Sequence, residues 1–281
     1  MQTQRQHITK FLRYPGSKRR ILTFLMQHLP DGKDISGRYF EPFVGSCAVF
    51  FSVSPKKATL SDINPDLIDL LLGIKKHPKD VWTIYETFGS SKRDYQKIRA
   101  NLKFESIQEK SARVLYLNRT CFKGMWRTNK QGQFNVGYGG QDRRWVINEQ
   151  NLVDVAQALK SAKIICSDFE STIKSAKPGD FIFLDPPYKP GSKYETNSHY
   201  VDRVFDIEEQ SRLASALNWA SKNKISWAMT NTSHREVVKL FKGSYKLKFP
   251  SGTGNLPGLL VEKPGEILIA NYPLKGGKYI S

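Results

Sequence analysis

"FIFLDPPYKPG", residues 181–191, runs four apolar residues into an aspartate, two prolines and a tyrosine. A short apolar run closed by turn residues is the pattern of a fully buried strand. The prolines fix φ and remove two backbone N–H donors, so the carbonyls around them remain as acceptors. Asp185 adds a carboxylate acceptor and Tyr188 a flat π face. Acceptors beside a stacking surface suit the exocyclic amino group of a nucleobase. A plain surface loop, the alternative, needs neither the acid nor the aromatic.

Similar runs lie on both sides of this one. "RYFEPF" (38–43), "KATLSD" (57–62), "AKIICSD" (162–168) and "KISWAMTN" (224–231) read as strands. "NPDLIDLLLGI" and "IEEQSRLASALNWASKN", between them, have helical periodicity. Strand–helix alternation is the signature of a parallel sheet. "KRRILTFLMQHL", capped by Ser17, is a further helix, another starts near Ser46, and "SYKLKF" and "EILIANY" close as an antiparallel pair. The rhythm stops between about 75 and 150, where "SARVLYLNRTCF" is helical and "RTNKQGQFNVGYGGQDRRW" is loop-like. The expected architecture is α/β: a Rossmann-like sheet built from residues 1–74 and 151–281, with a mostly helical insert over 75–150. Ligands of such sheets sit beyond the carboxyl ends of the strands. That rule singles out Phe43 to Gly45, Asp62, Asp168 and Asp185.

The chain of 281 residues carries 44 Lys+Arg against 26 Asp+Glu, a formal net charge of +18. Such an excess points to a polyanion, most simply nucleic acid, with an acidic membrane surface as the rival. Cys47, Cys121 and Cys166 lie far apart without CxxC spacing. That argues against a zinc site or a disulfide framework and fits a reducing compartment. No apolar h-region opens the chain and no apolar run reaches membrane-spanning length. A soluble, cytoplasmic protein is expected.

"FEPFVGSCAVFF" (40–51) places Gly45 just after the first strand, where a ligand can approach the backbone closely. There is no G-x-G-x-x-G and no G-x-x-x-x-G-K-[ST], so NAD-fingerprint and P-loop readings fall away. Asp62, 17 positions after Gly45, ends the second strand. An acid there can bond the two hydroxyls of a ribose or cap the helix that begins near Pro65. Asp168, beside Phe169, can bond an amino group and flank a flat ring, or again cap a helix.

Taken in order, "FLRYPGSK" (11–18), "FEPFVGS" (40–46), "LSDIN" (60–64), "SDF" (167–169), "DPPY" (185–188) and the closing "EILIANYP" (266–273) resemble the Dam-like, D12-type adenine-specific DNA methyltransferases. The resemblance covers almost the whole chain. "LNRTCFKGMWRTNKQGQFNVGYGG" (117–140) is similar to that family's DNA-contacting segment. The resemblance implies S-adenosylmethionine as methyl donor, S-adenosylhomocysteine as product and no metal. It places Tyr14 and Lys18 near the methionine and adenine portions of the cofactor. Pro42 and Phe43 join them, Gly45 borders the methionine moiety, Asp62 takes the ribose, and Asp168 and Phe169 meet the adenine. Asp185, which also borders the cofactor, joins Pro186, Pro187 and Tyr188 around the target adenine. Cys47 stands where the family commonly has a second glycine. Lys123 stands where GATC-specific members carry asparagine, and Gly137 and Gly140 replace a pattern with proline. GATC is therefore not carried over as the recognition sequence.

On this reading Asp185 and the Pro186 carbonyl accept the two N6 hydrogens of an adenine flipped out of duplex DNA onto Tyr188. In the insert, Lys123, Arg127 and Asn129 are candidate base readers, and Arg119, Arg143 and Arg144 candidate phosphate contacts. Phe122 or Met125 could wedge into the stack, and Asn135 is a further DNA-contact candidate. The expected partner is double-stranded DNA, met by a monomer, with a cognate restriction enzyme as a further partner the family admits. Two alternatives stand: an RNA base amino-methyltransferase, and a catalytically dead DNA-binding regulator on the same scaffold.

Overall fold

A computed structural model describes residues 11–13, 18–129, 131–140, 144–187, 205–249 and 265–281. Its strands are β1 (Tyr39–Glu41), β2 (Ala58–Asp62), β3 (Ala162–Cys166), β4 (Phe181–Leu184), β5 (Ser226–Thr232), β6 (Tyr245–Lys248), β7 (Glu266–Ala270) and β8 (Lys278–Tyr279). They form one sheet in the order β3-β2-β1-β4-β5-β7-β6-β8. The first five are mutually parallel. β7 runs antiparallel between β5 and β6, so the expected closing pair is present, with β8 added at the edge. Strand order reverses between β1 and β4, and beyond the strand ends at such a reversal is where open α/β sheets bind their ligands. Pro42 to Gly45 leave β1 at this point, and Asp185 leaves β4.

The helices begin with α1 (Leu22–Leu25), α2 (Ala48–Val53), α3 (Pro65–Lys76), α4 (Pro78–Thr87) and α5 (Lys92–Ala100). α6 (Ile107–Thr120), α7 (Glu149–Leu159), α8 (Phe169–Lys174) and α9 (Ile207–Lys222) follow. β4 shows why its sequence is apolar without a break. Phe181 and Phe183 enter the core on the α3 side, while Ile182 and Leu184 enter the one lined by α8 and α9. Successive side chains of a strand point to opposite faces, and here both faces are covered. α3 starts where Asn64 caps it ahead of Pro65, and its last turn carries Lys75 and Lys76. These are the residues that helix ends favour.

The insert shares this core rather than standing apart. α6 packs on α3 and α4. Gly73 of α3 allows the approach, because a Cβ there would overlap the Ser111 hydroxyl of α6. α5 and α6 each open with a capping box, Ser91 with Asp94 and Ser106 with Glu109.

Two expectations change in detail. The helix expected from Ser17 to Leu29 is a 3-10 turn over Lys18–Ile21 followed by the short α1. The tighter winding coincides with Lys18 turning inward, and Ser17 lies outside the described residues. The stretch expected as loop is partly a ribbon, closed by bridges Cys121↔Tyr138 and Thr128↔Phe134. Buried Trp126, Phe134 and Val136 hold it down, with the Trp126 and Phe134 rings 4.5 Å apart. Those anchors are spaced too irregularly to announce a strand. Among the described residues no helix is long and apolar enough to cross a membrane.

Candidate active site

Asp185 follows the last residue of β4 and is half-buried. Its Oδ1 takes two donors: Lys18 Nζ at 2.9 Å and the Thr230 hydroxyl of β5 at 2.5 Å. Lys18 is 6% exposed and also reaches Glu266 Oε1 at 3.7 Å. A buried ammonium is tolerable only when paired, so Lys18 is a fixture of this carboxylate. The family resemblance implies that Lys18 also lies near the cofactor. Beyond Asp185 the Pro187 carbonyl accepts from Gln210 Nε2 at 3.3 Å, and Gln210 Oε1 accepts from Asn231 Nδ2 at 3.0 Å. Gln210, Thr230 and Asn231 are fully buried. None of the three stands out in the sequence. Their signal was "TNT" (230–232) closing an apolar strand, and Gln210 standing in register with buried Leu213 and Leu217. Tyr188 and Tyr14 lie outside the described residues.

Glu41 ends β1 beside this group, also unforeseen. It is buried and accepts the Tyr39 hydroxyl at 2.7 Å. Burial pushes its carboxyl up to about 8; the Tyr39 hydrogen bond opposes this and the neighbouring Asp185 adds to it. Near neutral pH Glu41 therefore tends to keep its proton beside Asp185.

On the other side of β1, buried Asp62 holds the loop after the strand. Its Oδ2 accepts Gly45 N–H at 3.3 Å and its Oδ1 accepts Asn64 N–H at 3.1 Å. Burial pushes this carboxyl up to about 6, against the pull of those backbone donors. Capping α3 falls to Asn64, whose Oδ1 takes Asp66 N–H at 3.1 Å, so Asp62 is not the helix cap. Gly45 has φ 45° and Cys47 φ 57°. Cys47 thus takes a left-handed conformation of the kind that favours glycine, fully buried, although a Cβ is disfavoured there.

Asp168 does cap its helix, accepting Glu170 N–H at 2.9 Å at the start of α8. It also receives Arg212 of α9 in a two-pronged pair, 3.1 Å to Oδ1 and 2.8 Å to Oδ2. Partial burial pushes the Asp168 carboxyl up, but Arg212 and the Glu170 N–H outweigh it and hold it below its ordinary value. The Arg212 guanidinium lies 4.1 Å from the Phe169 ring centroid. Phe43 stacks on Phe169 at 5.4 Å, and Phe205 closes against both. A buried acid beside a Cβ-free loop residue, then an acid at the edge of an aromatic cluster, are groups of the kind the ribose and adenine of S-adenosylmethionine need; Phe169 itself is 5% exposed, and half-buried Phe43 is the more open ring. Arg212 had no signal in the sequence, because its partners are distant or part of an ordinary charged helix face.

The DNA candidates separate in the ribbon. Phe122 is 46% exposed, and Lys123, at φ 54°, sets its Nζ 5.2 Å from the Phe122 ring centroid. Gly124 follows at φ 69°, against Arg13, where a Cβ would overlap the Arg13 side chain. Arg13 Nη1 donates to the carbonyls of Arg119 and Cys121, both at 3.1 Å. Asn118 grips the Arg13 backbone from both sides at 2.8 Å. This knuckle is therefore tied to Arg13. Arg127 is exposed and donates from Nε to Asn135 Oδ1 at 2.9 Å. Asn129 spends its Oδ1 on the N–H groups of Gln131 and Gln133, and Met125 is half-buried against the core.

Arg119 requires a correction. It was expected to reach a phosphate, but it is 2% exposed within α6, because that part of the helix is enclosed on every side. Arg143 and the Arg144 side chain lie outside the described residues. Among the described residues no group of His, Cys, Asp and Glu could hold a metal.

The family model for the D12 class N6 adenine-specific DNA methyltransferases matches residues 14–252. The type II methyltransferase M.MjaIII of Methanocaldococcus jannaschii is 32% identical over 261 residues, 84% of this chain and 89% of that protein. A DNA adenine methylase of Vibrio cholerae is 30% identical over 242 residues, covering 83% and 85%. The type II methyltransferase M1.LlaDCHI of Lactococcus lactis subsp. cremoris is 28% identical over 283 residues, covering 97% and 98%. With the family model matched over residues 14–252 and relatives at 30% identity or more along most of the chain, this chain belongs to the D12 class of N6 adenine-specific DNA methyltransferases.

Proposed function

We propose that this DNA adenine-N6 methyltransferase holds the amino group of its target between the Asp185 carboxylate and the Pro186 carbonyl. The observation that carries the reading is the way the loop is pinned. Lys18 and Thr230 fix Asp185 Oδ1, and Gln210 takes the Pro187 carbonyl inward. Pro186 is then the proline whose carbonyl serves the substrate. The N6 lone pair of adenine is delocalised into the ring and is a poor nucleophile. Two acceptors on its hydrogens draw the nitrogen toward sp³ geometry and free the lone pair. S-adenosylmethionine, when bound, supplies a methyl group that is already a good electrophile. The work left to the chain is alignment and electrostatic assistance. Asp185 takes the amine proton, which becomes acidic only as the nitrogen is alkylated.

In this reading Asp62 binds the ribose of the cofactor, Asp168 and Phe169 its adenine, and Pro42 to Gly45, with Tyr14, its methionine end. Tyr188 stacks on the target, which has to leave the duplex to reach the crevice. Residues 75–150 form the target-recognition unit on a catalytic domain of 1–74 and 151–281. Arg127 and Lys123 read base edges, and Phe122 wedges beside the extruded base. The net charge of +18 supports backbone contacts along the duplex. Every residue invoked comes from one chain, so a monomer suffices.

The test offers a radiolabelled methyl donor with unmethylated duplex DNA and, separately, with RNA. Label recovered as N6-methyladenine from DNA is expected. Label in RNA alone, or on cytosine, would overturn the reading.

A further inference from the structure

Three polar residues lie fully buried behind the Asp185 loop: Gln210 on α9, and Thr230 and Asn231 on β5. Burying an amide or hydroxyl is costly unless its hydrogen bonds are made. Here the bonds form a directed chain whose sense is fixed at one end. The Thr232 N–H donates to Asn231 Oδ1 at 2.8 Å. Asn231 must therefore present its NH₂, which reaches Gln210 Oε1 at 3.0 Å. Gln210 must in turn present its own NH₂, which reaches the Pro187 carbonyl at 3.3 Å. A backbone N–H thus dictates, through two side-chain amides, which way the Pro187 peptide faces. One residue before Asn231, the Thr230 hydroxyl donates to Asp185 Oδ1. Both ends of the Asp185–Pro187 turn are held from the end of β5. Proline offers no N–H, so the turn cannot fasten itself through its own donors.

We infer that Thr230, Asn231 and Gln210 are positioning residues that aim the Asp185 carboxylate and the Pro186 carbonyl at the target amine. They act through the loop and touch neither substrate nor cofactor. The inference rests on the proposed role of Asp185 and Pro186. Loss of the chain should lower the rate of the bound complex and leave assembly of that complex alone. Misplacement on the ångström scale costs about 100-fold in rate.

The test compares wild type, Gln210→Glu, Thr230→Val, Thr230→Ser and Asp185→Ala in steady-state methyl transfer to unmethylated DNA. S-adenosylhomocysteine affinity and thermal melting are measured alongside. Gln210→Glu keeps shape but turns the donor facing Pro187 into an acceptor; Thr230→Val keeps shape but removes the hydroxyl. Both should lose about 10- to 100-fold in kcat, with KM for each substrate and S-adenosylhomocysteine affinity near wild type. Thr230→Ser should recover most of the rate. Unchanged kcat in both variants, with Asp185→Ala inactive, overturns the inference and spares the clamp. An active Asp185→Ala overturns the clamp itself. If a variant melts far below wild type, Thr230→Ser decides. A folded Thr230→Ser at the wild-type rate supports the hydroxyl, and one as slow as Thr230→Val contradicts it.

Discussion

The proposed function turns both Asp185 and Arg127 toward DNA, and the molecule holds them by different means. Asp185 stands at a strand end in the middle of the sheet, with its carboxylate fixed by Lys18 and Thr230 and its loop fixed by Gln210. Arg127 stands exposed on a ribbon, with Asn135 as its side-chain partner. The first is held by the core, so a change there disturbs reaction geometry before anything else. The second is held by its neighbours on the surface, so it can be exchanged without cost to the fold.

Substitutions at the two regions should therefore differ in kind. The largest effect is expected for Asp185→Ala, a fall in kcat of about 1,000-fold or more. DNA affinity in a gel-shift titration should stay near wild type; a comparable loss in affinity would blur the division. Asp62→Ala comes next. Removing an acceptor of charge-assisted hydrogen bonds should weaken cofactor binding by about 10- to 100-fold, read by calorimetry with S-adenosylhomocysteine. Unchanged affinity would take Asp62 out of the cofactor site. Arg127→Ala should cost about 1–3 kcal/mol of binding to preferred DNA. The rate at saturating DNA should survive, while the spread of methylated sequences, mapped on genomic DNA, widens. A narrow, unchanged spread would remove Arg127 from recognition.

The smaller effects are on stability. Cys47 holds a left-handed conformation that a β-branched side chain resists. Cys47→Val should therefore lower stability by about 1–3 kcal/mol, measured by denaturant unfolding. Glu41 supplies a pH test. Its carboxyl titrates near 4.5 in the unfolded chain and about 8 in the folded one. Its contribution to stability is whole below the first value and is lost as pH rises through the second. Glu41→Gln does not titrate, so its melting temperature relative to wild type should climb between pH 5 and pH 8. A constant difference would mean that Glu41 ionises freely in the fold.

The same contrast governs what could be read from the sequence. The strands were legible because burial on both faces demands unbroken apolar runs. The acids at their ends were legible because a charge directly after such a run is conspicuous. Asp185, Asp62 and Asp168 were all found this way, although their partners were not. Gln210, Asn231 and Thr230 look like any polar residues until β5 and α9 are brought together behind the loop. The pairing of Lys18 with Asp185 was not legible, since the two are far apart in the chain. Arg119 was misread as a surface charge because the enclosure of α6 is decided by tertiary packing and not by local pattern. The ribbon escaped because its anchors are few and unevenly spaced.

The most direct measurement is the distance from the target N6 to the loop in a crystal structure with S-adenosylhomocysteine and duplex DNA. The account predicts an extruded adenine with N6 within about 3.2 Å of both the Asp185 carboxylate and the Pro186 carbonyl, and Gln210 still on Pro187. An adenine left in the stack, or an N6 bonded to the Pro187 carbonyl with Gln210 displaced, would contradict it.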